Sequence, residues 1–260
     1  MPAVITLTTD FGTDDPFVGI MKGVILSIHP QAEIVDLTHA IEPQNVAQAA
    51  RILKAAYPYF PKKTVHVAVV DPGVGGKRRP IAVKSGTHTF VGPDNGIFTG
   101  ALDATSRCVE LTQKKYFLAD VSATFHGRDI FAPVAAWIAK GTPLKSMGRP
   151  IQDPQTLALP EPVWSGKQIE GEIICIDRFG NAATNISREI LSRHCRDFQN
   201  LTVKMGRTAI RGLAAHYSQC ARGKTGVLLN SWDALEIFQR EGNAARALKL
   251  KLGRKIRVIP

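Results

Sequence analysis

Over residues 1–160, short apolar runs alternate with segments of helical periodicity, and that alternation most constrains what this chain can fold into. Val4–Thr8, Ile34–Leu37, Val65–Val70, Ile81–Val83 and Thr89–Val91 read as strands, being short, apolar and rich in β-branched residues. Phe17–Ile28, Asn45–Ala56, Asn95–Ala101 and Ile130–Lys140 carry apolar residues at helical spacing. His29-Pro30 stops the first helix, Pro43 stands just ahead of the second and Gly141 closes the last. Strands alternating with helices make an α/β layer fold. Between Pro143 and Pro162 the chain is rich in proline and polar residues and reads as a linker, which divides it into domains 1–160 and 161–260. Beyond the linker the pattern changes to Lys167–Asp177, Leu201–Met205, Thr225–Asn230, Ala234–Phe238 and Arg254–Ile259, short strands with glycine turns that suggest a small β-barrel or sandwich.

Charge raises the question of nucleic acid. The net charge of +11 comes from 33 Lys/Arg against 22 Asp/Glu. It is uneven: residues 1–160 hold 16 against 13, and residues 161–260 hold 17 against 9. The C-terminal basic residues are scattered or alternate with leucine, as in Leu248–Leu252, where period two predicts a half-exposed strand. No finger, helix-turn-helix or aromatic RNA-binding motif accompanies the charge, so nucleic acid is not an expected partner. No apolar run is long enough to span a bilayer. The segment Met1-Pro2-Ala3-Val4-Ile5 lacks the basic and apolar regions of a signal peptide. Cys108, Cys175, Cys195 and Cys220 lie far apart with no CxxC, which excludes a disulfide framework or zinc-finger pattern and makes a reducing cytoplasm the expected location.

The segments with chemistry sit where predicted strands end. Val65–Val70 runs into Asp71-Pro72-Gly73-Val74-Gly75-Gly76-Lys77-Arg78-Arg79, an acid, a turn and a basic cluster at the carboxyl end of a strand, where open α/β sheets bind ligands. Asp10 follows the first strand in TTDFGTDD, placed to accept from vicinal ribose hydroxyls, while Asp14 or Asp15 can cap the Phe17 helix. GxGxxG is absent, so no pyrophosphate site is expected. In Gly92-Pro93-Asp94-Asn95-Gly96, Asp94 reads as a turn or cap residue and Asn95 as a binding candidate. His126 lies in a loop at a helix start beside Arg128 and Asp129, either a tunable histidine or a structural one next to a local ion pair. Further on, Asn181 offers the donor and acceptor pattern of an adenine edge, and Trp232 can stack on a base or fill a core.

Taken together, TTDFGTDD, DPGVGGKRR, GPDNGIF, TFHGRDIFAP, DRFGNAATNI and NS…LEIF…GNAA resemble, in order and along nearly the whole chain, the S-adenosylmethionine hydroxide adenosyltransferase family, relatives of the bacterial fluorinating and chlorinating enzymes. The resemblance implies a Rossmann-like three-layer α/β domain followed by a small β-barrel, and a homotrimer with active sites between subunits. It implies hydrolysis of S-adenosylmethionine to adenosine and L-methionine, with water attacking ribose C5′ and S-adenosylmethionine as substrate rather than cofactor. No metal or other cofactor is implied.

By the same resemblance Asp71, Arg78 and His126 handle the water, with Arg79 a rival to Arg78. Asp10 contacts ribose, Asp15 and Asp177 the methionine ammonium, Asn181 and the backbone near Asn243-Ala244 the adenine, and Ser231 the methionine carboxylate. Asn95 and Glu236 lie in matching motifs and join the binding set. Departures from the halogenating relatives are informative. Asp71 stands for their tyrosine, Phe125-His126-Gly127 lacks the halide-binding serine, Gln44 replaces a ribose-stacking tryptophan, Trp232 replaces an arginine, and Asp233 stands where the hydrolases have glycine. An anionic Asp71 repels halide and favours water. Two alternatives are halide alkylation to a 5′-halo-5′-deoxyadenosine, and a non-catalytic adenosine or S-adenosylmethionine sensor with a basic domain that contacts nucleic acid.

Overall fold

The computed structural model describes residues 2–260, which divide into two compact units, residues 2–158 and Leu159–Pro260. The first is built on a seven-stranded sheet of β1 (Val4–Thr9), β2 (Glu33–Thr38), β3 (Val65–Val69), β4 (Pro80–Ser85), β5 (His88–Pro93), β6 (Arg107–Leu111) and β7 (Gly148–Ile151), in the order β2-β1-β3-β5-β4-β6-β7. The pairs among β2, β1, β3 and β5 are parallel and those from β5 through β4 and β6 to β7 antiparallel. Every residue of β3 is buried, because helices cover both faces. Ile5, Leu7, Val65, Val67 and Val69 face a core shared with α1 (Phe17–Ile28) and α3 (Ala132–Ala139). Ala68, Val70, Ile81 and Phe90 face the core containing Ala49 and Leu53 of α2 (Val46–Ala56).

Local chemistry explains where the expected elements held and where they did not. Asn45 caps α2 by accepting from the Gln48 amide. Helix α1 starts after Pro16 with no side-chain cap, so neither Asp14 nor Asp15 does the expected capping. The helix expected over Asn95–Ala101 shrinks to a single 3₁₀ turn, Thr99–Ala101. Gly96 sits at φ +89°, outside helical space, and the Asn95 side chain is spent on other partners. A π-helical turn, Gly127–Phe131, precedes α3. The proline-rich stretch is not all linker: β7 lies within it and pairs with β6, a strand too polar in alternation to stand out.

The second unit carries β8 (Val163–Trp164), β9 (Ile169–Ile176), β10 (Ala182–Ser187), α4 (Arg188–His194), β11 (Thr202–Met205), β12 (Thr208–Arg211), β13 (Thr225–Leu229), β14 (Ala234–Gln239), α5 (Ala244–Ala247) and β15 (Lys255–Ile259). Its strands run in the order β12-β11-β15-β9-β10-β14-β13, with β8 added to β9, and every neighbouring pair is antiparallel. Ile169, Ile173, Val203, Ile237, Ile256 and Val258 form its core, one face of each strand. Leu248–Leu252 is not a strand: it is the exit of α5 and a turn, with Lys249 at φ +52°. Its alternation comes from Leu250 turning into the core while Leu252 stays exposed. Among the described residues no helix is long and apolar enough to cross a membrane.

Candidate active site

Strand β3 delivers Asp71 just beyond its last residue, and the turn that follows folds back on itself. Gly75 makes that path possible: it sits at φ +73°, and a Cβ there would lie 2.2 Å from the Ala123 carbonyl oxygen. The chain returns with Arg78 laid along Asp71. Arg78 Nε donates to both carboxylate oxygens at 3.0 Å, and Nη2 reaches Oδ2 at 2.5 Å. Both side chains are nearly buried, 9% exposed for Arg78 and 5% for Asp71. The guanidinium also lies over the Phe131 ring, 5.3 Å from its centroid.

His126 closes the group from a loop distant in sequence. Its Nδ1 lies 2.6 Å from Arg78 Nη2. A guanidinium only donates, so Nδ1 is the acceptor and the ring is neutral in this arrangement. Burial pushes the His126 pKa below its ordinary value and the Arg78 charge adds to that. Asp71, Asp129 and the Ser122 backbone pull the other way. The loop itself is pinned by Asp129, fully buried, whose Oδ2 accepts from the Ser122 amide and hydroxyl at 2.8 Å each. Arg128 pairs with the same carboxylate, which is the local ion pair expected from the sequence.

Arg79 turns elsewhere. It binds Asp94 and Asp153, so of the two adjacent arginines only Arg78 joins Asp71 and His126. Asp94 is therefore not a cap but a carboxylate 1% exposed in an ion pair. Sequence reasoning missed this partnership because no local spacing links the two residues. Asn95 also turns inward, donating to the Val70 carbonyl at 2.8 Å and accepting from the Ile97 amide at 3.2 Å. Asp10, at the end of β1, accepts from the Gln44 amide at 2.9 Å through Oδ2. Asp15 is exposed on the loop before α1.

In the second unit the DRFGN and GNAA motifs meet. Asp177 accepts from the amides of Phe179 and Asn181 and from Asn181 Nδ2 at 3.1 Å, which shapes the β9–β10 turn. Gly180 packs so tightly against Asn243 that a Cβ there would lie 2.1 Å from its Cγ, and the Gly180 carbonyl accepts from the Ala245 amide. Asn243 Oδ1 accepts from the Arg246 amide at 2.7 Å, placing Ala244 at the start of α5. Ser231 and Trp232 sit on the β13–β14 turn, and Trp232 is 53% exposed, so it does not fill the core. Glu236 is buried, its oxygens accepting from the Tyr217 hydroxyl at 2.9 Å and Asn230 Nδ2 at 3.0 Å. Burial, then Glu236, push the Tyr217 pKa up to about 12. Among the described residues no group of three or more His, Cys, Asp or Glu side chains is arranged to hold a metal ion.

Comparison with known proteins follows the same two-part division. The family models of the SAM hydroxide adenosyltransferase N-terminal and C-terminal domains match residues 5–148 and 171–257. A protein of Salinispora tropica named (R)-S-adenosyl-L-methionine hydrolase is 39% identical, over 98% of this chain and 97% of its own. A fluorinase of Actinoplanes sp. is 30% identical over 74% of this chain and 76% of its own. The crystal structure of an uncharacterized conserved protein from Thermotoga maritima superposes with a TM-score of 0.91 at 35% identity, covering 98% of this chain and 100% of that one. The chain belongs to the SAM hydroxide adenosyltransferase family.

Proposed function

We propose that this protein hydrolyses S-adenosyl-L-methionine to adenosine and L-methionine. The observation that carries the reading is the Asp71–Arg78–His126 cluster, assembled at a strand end in a chain of this family. The sulfonium leaves as a neutral thioether and takes the C5′–S electron pair, so no group has to protonate it. Water supplies the new C5′–O bond and releases one proton. The protein's task is to hold that water in line and stabilise charge as it develops. Arg78, fixed on one side by Asp71 and on the other by His126 Nδ1, is the donor for the developing hydroxide. Asp71 takes the proton, because the His126 lone pair at Nδ1 is committed to Arg78.

Residues 1–160, read as a Rossmann-like three-layer domain, supply the water site and the ribose contact at Asp10. Residues 161–260, read as a small β-barrel, supply the adenine contacts and, with Asp15 of the first domain, the methionine contacts. Asp15 and Asp177 suit the methionine ammonium, Asn181 with the Asn243-Ala244 backbone the adenine, and Ser231 the carboxylate. The meeting of the DRFGN and GNAA turns supports the adenine assignment. Asn95 and Glu236, whose polar atoms are engaged within the protein, act by shaping the turns around them. A cytoplasmic homotrimer with sites shared between subunits completes the proposal, with S-adenosylmethionine as substrate and no cofactor. An anionic Asp71 at the nucleophile position disfavours halide. Incubation of purified protein with S-adenosylmethionine in high chloride tests the reading. Adenosine and methionine are expected; a 5′-chloro product, or no turnover, counts against it.

A further inference from the structure

We propose that Asp94 and Asn95 form a positioning bracket that closes the two ends of the Asp71–Arg78 turn and so aims Arg78. The two residues are consecutive, at the end of β5 and the start of the turn after it. Asn95 Nδ2 holds the Val70 carbonyl, the peptide that leads into Asp71. Asp94 holds the residue after Arg78: its Oδ2 accepts from Arg79 Nε at 2.7 Å, and its amide donates to the Arg79 carbonyl at 2.9 Å. Oδ1 is occupied by the Gln155 amide at 2.7 Å, so the carboxylate cannot swing away. Arg79 is held further by the Asp153 side chain at 2.8 Å and its carbonyl at 2.6 Å.

The bracket works through backbone geometry. Arg78 and Arg79 lead into β4 and their side chains take different partners, Arg79 the Asp94 carboxylate and Arg78 the Asp71 carboxylate. With Arg79 locked on Asp94, Arg78 is directed at Asp71 and His126. Asp94 is the anchor because it is buried and charge-paired, whereas Asp153 is largely exposed and holds Arg79 only weakly. Asp94 and Asn95 direct their hydrogen bonds to Arg79, Val70 and Gln155 rather than to the three proposed water-handling side chains, and are positioning residues, not catalytic ones. The catalytic consequence rests on the hydrolase reading above; the geometric claim does not.

Two variants test it, Asp94→Asn and Arg79→Lys, each read by turnover and by NMR titration of the His126 imidazole. Burial still holds the His126 pKa down in the variants, but loosening Arg78 removes the cation that adds to it, while Asp71, Asp129 and the Ser122 backbone continue to raise it. The His126 midpoint therefore moves upward in both variants, and kcat falls about 10- to 100-fold while adenosine affinity stays close to the parent value. Arg79→Lys changes a partly exposed side chain and carries the test alone if Asp94→Asn fails to fold. An unmoved His126 midpoint with unchanged kcat overturns the bracket. A loss of adenosine affinity as large as the loss of kcat also overturns it, since general disruption then suffices. A parent protein that turns over no S-adenosylmethionine sinks the hydrolase reading instead, and the His126 titration still decides the bracket.

Discussion

The turn between Asp71 and Arg78 and the three turns of the second unit solve different problems. In the first, Asp71 and Arg78 are nearly buried and, with His126, satisfy one another through direct hydrogen bonds. In the second, Asp177, Ser231 and Trp232 are exposed on turns, where the Asp177 carboxylate holds the turn amides and the Trp232 amide donates to Asn230 Oδ1. Chemistry needs donors preorganised to a fraction of an ångström, which burial and ion pairing provide. Recognition of a flexible substrate needs surface presented on stable turns. Buried ion pairing in the first unit and exposed turns in the second suit the separate roles proposed for them.

That contrast predicts opposite kinetic signatures. Asp71→Ala should lower kcat by about 10²- to 10⁴-fold, because it frees Arg78 and removes the proton acceptor. Calorimetric adenosine affinity should survive; parallel loss of both would erase the distinction between the two regions. Asn181→Ala should do the reverse, raising KM about tenfold through a lost hydrogen bond, with kcat nearly unchanged. A kcat effect of the same size would place Asn181 in the chemistry.

A smaller effect distinguishes the two units by acid stability. Every buried histidine among the described residues lies in the first unit: His39, His66 and His88. His66 joins Thr6 at 2.8 Å and His88 at 3.2 Å beneath Tyr57, Phe60 and Phe90. Burial, then the charge of His88, pushes its pKa down to about 3, and burial lowers that of His88 too. The unfolded chain takes these protons below about pH 6.5 while the folded one resists. Stability tied to His66 is thus full above about pH 6.5 and falls from there towards about 3, by up to about 1.4 kcal/mol per pH unit, and His88 adds to the loss in the same direction. Amide exchange at mildly acid pH should show β1 and β3 losing protection before β9 and β10; simultaneous loss would deny the pair this role.

Much of this was legible in the sequence, and the rest was hidden for physical reasons. Strands β1 and β3 and helices α1 and α2 announce themselves, since their apolar residues keep one period throughout. Strand β7 does not, because an edge strand of four residues with a proline and an arginine carries no period to read. The three residues proposed to handle the water follow from motifs whose order the resemblance supplied. Their mutual contact, and the division of labour between Arg78 and Arg79, are set by tertiary pairing with His126 and Asp94. Asp94 looked like a turn residue for the same reason: its partner Arg79 lies on the preceding turn, and no local pattern points there. Trp232 shows the converse, a residue type that suggests core and stands exposed on a hairpin turn.

The central claim is that a water held by Arg78 and Asp71 attacks ribose C5′. Hydrolysis in heavy-oxygen water, followed by mass spectrometry of both products, tests it directly. The predicted result is adenosine carrying the heavy oxygen at its 5′ position and methionine carrying none. Unlabelled adenosine, or a halogenated nucleoside formed in preference to it, would contradict the account.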